Sequence, residues 1–440
     1  MLIPARHLLF PLAVITLPSP MKLTRRDFLA TAAVGTAAAA LPARAASPLV
    51  TRFPEASDDA LYAAADRPVL EVKGLIKDPV IIESIELLKA GREHYLRVRA
   101  KGGAEGISVD NSRIAVLHPI LTQLIAPYFI GKDARDLEEH LFQVYRLRDN
   151  YKYQGLAFWC PIALLEFALL DLLGRVAGKS IPALLGGGGI RERVPFYIAS
   201  GRRDTTPEQE VEYLQKLLAE TGGEAVKYRL GGRMNRNVDA LPNRTERLIP
   251  LTRKVLGDKI ALHGDANSSY DAKAAIRIGK MLEDVNAVYF EEPCPFDDFI
   301  ATKKVTDALT IPVALGEQES SEARFHEQIR NQVADIVQPD LFYYGGLIRS
   351  IRVSRMAELR KMPTIAHISG GFGFVYMLHF AACVKDIGPW QEYKSGIKTY
   401  ADWFNPPLKI IDGAITVPTG PGVGIADPRE VLKKAELVKG

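Results

Sequence analysis

From about Pro195 onward, short runs rich in β-branched and aromatic residues alternate with segments whose apolar positions recur at helical spacing. One helical pattern begins at Pro207, and another, Ala272–Leu282, follows Asp271, a residue type that caps helix N-termini. Strands alternating with helices predict parallel βα units, and eight such units close a TIM barrel. The predicted strands are Val194–Ser200, Ala225–Leu230, Lys259–Asn267, Ala287–Glu292, Ile311–Glu317, Ala334–Asp340, Pro363–Ser369 and Gly388–Tyr393, and further helices are predicted over Gly345–Leu359 and Val375–Val384.

The segments on either side of this barrel pattern indicate a second structural layer. Leu70–Ile76 and Tyr95–Ala100 are strand-like, and Gly186–Gly189 is a natural linker into the barrel. After the barrel, the turn Asp412-Gly413 joins two short β-type runs and predicts a hairpin. Both ends of the chain are therefore expected to build an α+β cap. Its predicted helices are Ile114–Ile125, Ala134–Arg148 and Pro161–Ala177, and the hairpin strands are Leu408–Ile411 and Ile415–Val417.

The predicted fold class is α/β, a modified (β/α)8 barrel with an α+β capping domain formed from N-terminal and C-terminal segments. Ser47–Arg67 has no clear pattern and is expected to be a loose arm. The predicted parts are a leader at 1–46, an N-terminal arm at 47–68, a cap at 69–189, the barrel at 190–395, and a C-terminal segment returning to the cap at 396–440.

Composition narrows the class of protein. The chain has 440 residues, of which 47% are hydrophobic and 25% charged, as in ordinary soluble globular proteins. The formal net charge is only +4, and no basic block is interleaved with aromatic residues, so nucleic acid is not an expected partner. Cys160, Cys294 and Cys383 are widely separated and odd in number, which predicts neither a disulfide framework nor a cysteine metal site.

The first 46 residues have the pattern of an export signal. A twin-arginine motif, Thr24–Leu29, precedes a small apolar run and the A-x-A cleavage pattern Ala43–Ala45, and we expect Met21 to be the true start. The alternative is an amphipathic N-terminal helix with a chance arginine pair. The apolar run, Ala30–Leu41, is shorter than a membrane span, so a stable membrane anchor is not expected. The prediction is a periplasmic protein exported by the twin-arginine route.

Three successive predicted strands carry a carboxylate at or near their carboxyl ends, Asp265, Glu291 and Glu317. Active sites of TIM barrels form at the carboxyl ends of the strands, so these side chains can face one cavity. Three carboxylates form a hard oxygen site suited to Mg²⁺, which can also bind a substrate carboxylate and stabilise the charge that appears on loss of an α-proton. Alone, each acid would more often be a solvated group at the barrel mouth, but three in successive units make that explanation weak.

The remaining strand ends supply candidates for proton transfer and substrate binding. His367 and Asp340 lie on neighbouring predicted strands, and a carboxylate that holds an imidazole fixes its tautomer and raises its basicity. Lys227 could bind the substrate carboxylate. Glu392 could donate a hydrogen bond if burial near other acids keeps it protonated. Because strands have a period of two, Lys227 and Arg229 share a face, whereas Tyr228 points the other way.

These residues resemble those of the enolase superfamily, in its mandelate racemase and muconate lactonizing enzyme family. The resemblance covers about Val69 to Asp427 and rests on Asp-x-Asn at 265–267, Glu-Glu-Pro at 291–293, Gly-Glu at 316–317, Gln-Pro-Asp at 338–340, the seventh-strand histidine and the eighth-strand glutamate. It is supported by the cap segment at 163–187 and the tail at 418–424. The resemblance implies one Mg²⁺ on Asp265, Glu291 and Glu317, a His367–Asp340 catalytic dyad, and Glu392 as its electrophilic partner.

The chain departs from the family pattern at Arg229. The family's second strand usually carries Lys-x-Lys, and its second lysine is the base on the face opposite the histidine. Arginine remains protonated at any working pH and cannot act as that base. Arg229 could instead bind the substrate, as could Asn267, which shares a face with Asp265. Alternatively, Arg229 only forms an ion pair with a metal-ligand acid.

One base and one metal favour an acid-sugar dehydratase, a lyase that converts an aldonate or aldarate to a 2-keto-3-deoxy acid by β-elimination. A racemase, epimerase or cycloisomerase would need a second base, such as Tyr228 turned inward or a loop residue. A periplasmic acid-sugar binding protein with lost turnover is the third hypothesis. Specificity is expected in the loop Lys101–Ser112 and in the loops after Arg229 and Asn267. The family habit implies a symmetric homo-oligomer.

Overall fold

The computed structural model describes residues 53–438, except residues 187, 235, 369, 395 and 396. The predicted leader, including Met21 and the A-x-A site, lies outside the described residues, as do Ser369, where the seventh predicted strand ends, and one residue of the Gly186–Gly189 linker.

Thirteen strands form two sheets in the described part of the chain. They are β1 Ile82–Ala90, β2 Glu93–Ala100, β3 Glu105–Val109, β4 Arg193–Ala199, β5 Ala225–Arg229, β6 Ala261–Asp265, β7 Tyr289–Glu291, β8 Val313–Leu315, β9 Ile336–Val337, β10 Gln391–Tyr393, β11 Ile410–Ile411, β12 Ala414–Thr416 and β13 Glu436–Leu437.

The α-helices lie mainly between the strands of the larger sheet and on one side of the smaller one. They are α1 Asp58–Asp66, α2 Ile114–Pro119, α3 Ala126–Phe129, α4 Leu137–Arg146, α5 Leu156–Ala177, α6 Ile181–Leu184, α7 Pro207–Thr221, α8 Arg244–Leu256, α9 Ala272–Asp284, α10 Phe299–Ala308, α11 Glu322–Arg330, α12 Leu347–Leu359, α13 Gly373–Cys383, α14 Ile397–Tyr400 and α15 Pro428–Leu432.

The larger sheet confirms the predicted alternation of strands and helices. Strands β4 to β9 run parallel in chain order, and β10 pairs in parallel with β4, so the last strand returns to the first. Helix α7 begins at a capping box formed by Thr206 and Gln209, and the Asp271 side chain caps α9 as predicted. These caps hold each helix at the loop that follows a strand end, which is where the site residues lie.

The seventh predicted strand, Pro363–Ser369, does not form a ladder in its described part. Thr364 and His367 make only isolated parallel bridges, to Val337 and Asp340. The Ala366 amide donates instead to the side chain of Gln391 and the Ile368 amide to that of Glu392, so side chains of β10 take the place of backbone partners. The segment still occupies the seventh position between β9 and β10, which places His367 at the barrel mouth.

The smaller sheet differs from its prediction at one strand. Leu70–Ile76 is not a strand, because only Leu70 forms a bridge, to Leu185. The sheet is instead built on β1, which the sequence analysis missed, in the antiparallel order β13-β1-β2-β3. The predicted strand Tyr95–Ala100 lies within β2. Because β13 comes from the end of the chain, both chain ends contribute to this sheet.

Helix α5 packs across this sheet and is largely buried. It is long and apolar enough to cross a membrane, but 89% of its apolar window is buried inside the structure. Gly106 of β3 lies so close to α5 that an added Cβ would fall 2.3 Å from the Ala168 carbonyl oxygen. The apolar composition of α5 therefore serves the core of the cap.

Two other segments also depart from the expectations. The described part of the expected loose arm contains α1, capped by Ser57, whose buried Leu61 and Ala65 pack in a cluster with Val353 and Met356 of α12. The predicted helix Ile114–Ile125 changes to a π-helix at Ile120–Ile125, directly after Pro119, which cannot donate a backbone hydrogen bond. By contrast, the predicted hairpin forms as β11 and β12, around a turn with positive φ angles at Asp412 and Gly413.

Candidate active site

The predicted site residues lie together at the carboxyl end of the barrel strands. The register of β5, β6 and β7 pairs Arg229 with Asp265 and Asp265 with Glu291. Neighbouring strands are about 4.8 Å apart, so side chains at paired positions on the same face touch one another. None of the predicted residues is more than 6% exposed; they are Lys227, Arg229, Asp265, Asn267, Glu291, Glu317, Asp340, His367 and Glu392.

Asp265, Glu291 and Glu317 form a compact acidic triad. Their ligand atoms lie within 4.8 Å of one another, and all three side chains are buried. Oδ2 of Asp265 is buried and forms ion pairs with Arg229 and Lys227, and the buried Oε2 of Glu317 lies 3.2 Å from Nε2 of His367. Buried carboxylates at this spacing are unfavourable without nearby positive charge. A donor set of three buried carboxylates this close together fits a hard divalent cation such as Mg²⁺.

Lys227 supplies part of the positive charge that this acidic cluster needs. Its Nζ lies 2.7 Å from Oε1 of Glu291, 2.9 Å from Oε1 of Glu392 and 3.3 Å from Oδ2 of Asp265. Burial favours the neutral amine, but the carboxylates outweigh it and raise the pKa of Lys227 above its usual value. Lys227 is therefore a fixed ammonium group beside the triad.

His367 and Asp340 form the predicted dyad geometry. Nδ1 of His367 lies 2.6 Å from Oδ2 of Asp340, whose other oxygen accepts hydrogen bonds of 2.8 Å from the amides of Phe342 and Tyr343. The carboxylate is thereby held in place and fixes the imidazole. Nε2 of His367 lies 3.2 Å from Oε2 of Glu317, so the second ring nitrogen faces the triad. An Nδ1-protonated tautomer leaves this Nε2 available to accept a proton.

Glu392 does not have the protonated state that we expected. Burial raises the pKa of a carboxyl group, but the positive charges of Lys227 and Lys394 outweigh it and hold the pKa of Glu392 well below its usual range. The carboxylate also accepts a hydrogen bond of 2.9 Å from the Ile368 amide. In this arrangement Glu392 is an ion-paired acceptor, and the expectation of a hydrogen-bond donor is wrong.

Comparison with known proteins agrees with this geometry. The family described as enolase C-terminal domain-like matches residues 209–430, which is half of the chain. This chain belongs to the enolase superfamily. Its resemblance to the mandelate racemase and muconate lactonizing enzyme family, inferred from the site motifs, is thereby confirmed, and so is the α/β barrel fold class.

Several relatives within this superfamily span most of the chain. Arabinonate dehydratase of Saccharolobus solfataricus is 28% identical, over 82% of this chain and 91% of that protein. L-talarate/galactarate dehydratase of Salmonella typhimurium is 28% identical, over 77% and 81% respectively. A solved structure from Roseobacter denitrificans, provisionally named a racemase, is 32% identical with a TM-score of 0.75, covering 81% of this chain and 99% of that chain.

The leader of this superfamily member also has a match. A model of twin-arginine translocation signal sequences covers residues 22–42. The predicted twin-arginine signal is therefore confirmed from the sequence.

Arg229 occupies the position where the superfamily resemblance led us to look for a second base. Its Nη1 forms the ion pair with Oδ2 of Asp265 that one of the two interpretations expects, and substrate binding by Arg229 stays a prediction. Tyr228 lies on the other face of β5, in the large hydrophobic cluster, whereas Ala225 belongs to the cluster of the barrel interior. Tyr228 therefore does not present its hydroxyl to the cavity.

Lys394 is a site residue of this superfamily member that the sequence analysis missed. Its Nζ lies 3.3 Å from Nε2 of His367 and 3.5 Å from Oε1 of Glu392, and it donates to the carbonyl of Ile368. Burial lowers the pKa of Lys394, although Glu392 opposes this shift. The signal was available, because Lys394 follows Glu392 by two residues and so shares its inward face.

Arg203 and Arg233 also reach the site, through Asn267. Oδ1 of Asn267 accepts hydrogen bonds from Nη2 of Arg203 at 2.7 Å and from Nη2 of Arg233 at 3.1 Å. The Asn267 amide nitrogen lies 3.2 Å from Oε2 of Glu292 and 3.4 Å from Oε1 of Glu317. Asn267 thus joins the acidic triad to two guanidinium groups. Arg203 was missed because it follows β4 by four residues, beyond the reach of strand periodicity.

Proposed function

We propose that the chain is a Mg²⁺-dependent acid-sugar dehydratase that converts an aldonate or aldarate to a 2-keto-3-deoxy acid. The observation that carries this proposal is the His367–Asp340 dyad facing the acidic triad, with a guanidinium group rather than a second base at Arg229. The two relatives described above, both named as dehydratases of acid sugars, support the same reaction class.

In the proposed reaction, Asp265, Glu291 and Glu317 hold one Mg²⁺. When bound, the ion supplies the positive charge that makes a proton next to a carboxylate acidic enough for a side chain to remove. Lys227 adds a fixed positive charge at the same place. We assign substrate binding to Arg229 and Asn267, whose polar atoms lie at the edge of the triad.

His367 is the proposed base. Its Nε2 takes the α-proton while Asp340 stabilises the imidazolium that forms. The β-hydroxyl then leaves as water, with a proton returned from the same side of the cavity. The resulting enol takes up a proton at C3, loses the proton of its C2 hydroxyl and becomes the 2-keto-3-deoxy acid. One proton leaves C2, one hydroxyl leaves C3, and no oxidant or reductant is needed.

The alternative in this superfamily is a racemase, epimerase or cycloisomerase. The provisional name of the Roseobacter denitrificans protein, a racemase, supports this alternative. The placements of Tyr228 and Arg229 argue against two-base chemistry. A binding protein without turnover is a weaker alternative, since the dyad and the triad are complete. We also propose a periplasmic location from the export signal, a symmetric homo-oligomer, and a division into a cap at 69–189, a barrel at 190–395 and a returning segment at 396–440.

The test is proton NMR in D₂O with Mg²⁺, the mature protein and a panel of acid sugars. The proposal predicts a new C3 signal, from a carbon that bears one proton and one deuteron, which the His367→Asn variant does not produce. Washout of the α-proton without that signal would favour the racemase alternative. No change with any acid sugar, under conditions in which the protein binds Mg²⁺, would contradict the proposed substrate class.

A further inference from the structure

Arg203 lies at the barrel mouth without an acidic partner among the described residues. Its Nη2 donates to Asn267, while its Nε is buried and donates to no described atom. A buried guanidinium nitrogen without an acceptor is unfavourable unless a ligand supplies one. The arginine side chain therefore points to an anion that binds here.

The surroundings of Arg203 have an excess of positive charge. Arg233 donates to the same amide oxygen, and Arg229 nearby is already paired with Asp265. Burial lowers the pKa of Arg203 to about 9, and repulsion from Arg229 and Arg233 acts in the same direction. The side chain is still charged at neutral pH. The two guanidinium groups converge on one neutral acceptor, and a carboxylate offers the two charged oxygens that suit such a pair of donors.

The arginines near Arg203 in the sequence and in space have other contacts. Arg202 points elsewhere, stacking over the ring of Tyr213 at 4.5 Å with its Nε 3.8 Å from Glu210. Arg244 has a structural role, because it donates hydrogen bonds to the backbone carbonyls of Thr205 and Arg229. Arg203 thus combines a buried Nε that donates to no described atom with a position beside Asn267, a combination that Arg202 and Arg244 lack.

The position of the arginines relative to the triad defines the ligand. A single side-chain amide, that of Asn267, separates Arg203 and Arg233 from Glu317. We propose that Arg203 and Arg233 bind the second carboxylate of a diacid substrate whose first carboxylate lies at the triad. This inference rests on the proposed function and deepens it, because it selects aldarates over aldonates as the substrate class.

The test measures binding separately from turnover. His367→Asn protein loaded with Mg²⁺ is titrated by calorimetry with aldarate and aldonate pairs of gluco, galacto and manno configuration. Members of each pair share their hydroxyl configuration and differ only in a terminal carboxylate or hydroxymethyl group. We expect an aldarate to bind about 10- to 100-fold more tightly than its aldonate, the range for one charge-assisted contact.

Variants identify the groups responsible for that difference. Arg203→Met and Arg233→Met should each remove most of the aldarate preference while leaving aldonate affinity nearly unchanged. Arg203→Lys, which keeps the charge but loses the fork, should restore part of it. Arg202→Met is the matched control and should keep the full preference. Circular dichroism and Mg²⁺ affinity check that each variant is folded and holds its metal.

The possible outcomes separate this inference from the proposed function. Equal affinity for aldarates and aldonates, equal loss of both in Arg203→Met, or no binding of any pair would overturn the diacid proposal. Dehydration of aldonates by the wild-type protein would still leave the proposed reaction standing. Arginine-dependent binding of an aldarate without its dehydration would support the diacid site and contradict the proposed reaction.

Discussion

The two sides of the barrel mouth carry different chemistry. On the side of β9 and β10, Asp340 orients the imidazole of His367 so that its Nε2 faces the triad, with Lys394 next to it. On the side of β5, Arg229 is engaged with a carboxylate of the triad, and Tyr228 faces away into the core. Proton transfer is therefore possible from one side, and charge recognition dominates the other. This asymmetry is the physical basis for predicting elimination rather than racemisation.

The largest effect is expected from loss of the base. His367→Asn should lower kcat by about 10²- to 10⁴-fold, the usual contribution of general acid–base catalysis. Steady-state kinetics with an acid sugar that the wild type dehydrates measures the change. His326→Asn, at a histidine that stacks on Tyr62 outside the cavity, is the matched control and should leave kcat unchanged. Similar losses in both variants would show that folding, not proton transfer, was impaired.

The acidic triad lies between the two sides of the barrel mouth, so a change in the triad should affect the chemistry of both sides. Glu317→Gln removes one of three carboxylates, and we expect Mg²⁺ affinity to fall by more than about 100-fold, since even outer-shell changes cost 10–100-fold. Calorimetric titration with Mg²⁺ reads this directly, without any substrate. Glu322→Gln, five residues further on in α11, provides the comparison. Unaltered Mg²⁺ binding in Glu317→Gln would place the ion elsewhere.

A substitution at Lys394 tests whether the groups around His367 complete the elimination without help from the opposite side of the barrel mouth. Lys394→Met should slow product formation about 10- to 100-fold by removing an ammonium group beside His367, while α-proton exchange continues. Exchange and elimination are followed together by NMR in D₂O. An equal loss of both processes would instead indicate that Lys394 positions His367.

The smallest effect is expected on the other side. Arg229→Lys replaces a guanidinium with an amine that can lose its proton, so slow epimerisation at C2 should appear. Dehydration should fall about tenfold as the forked ion pair with Asp265 is lost. Chromatography of the recovered acid detects the epimer. Faster dehydration without an epimer would mean that Arg229 has no role in the asymmetry.

The predictability of the site follows from its position in the fold. Residues within or just after strands, such as Asp265 and His367, could be found because strand period and βα spacing place them at one end of a barrel. Arg203 could not, since no periodicity fixes where a side chain points in a loop. The protonation of Glu392 depends on its distances to Lys227 and Lys394, which the sequence does not contain.

The parts of the fold that the sequence analysis missed have related causes. Helix α1 is short and rich in alanine and aspartate, and its stability comes from packing on α12, a contact distant in sequence. Strand β1 carries charged and apolar residues in irregular order, so its sequence shows no strand period. Its burial depends instead on packing against β2, β13 and the cap helices. The seventh barrel position lacks a ladder because side chains of β10 satisfy its amides.

The most direct test of the one-sided account is the configuration of recovered substrate. The wild-type enzyme with Mg²⁺ is stopped at partial conversion in D₂O, and the remaining acid and the product are analysed by NMR. The account predicts remaining acid of unchanged C2 configuration, together with a 2-keto-3-deoxy acid bearing one deuterium at C3. Accumulation of the C2 epimer carrying solvent deuterium would show that bases act from both sides and would contradict the account.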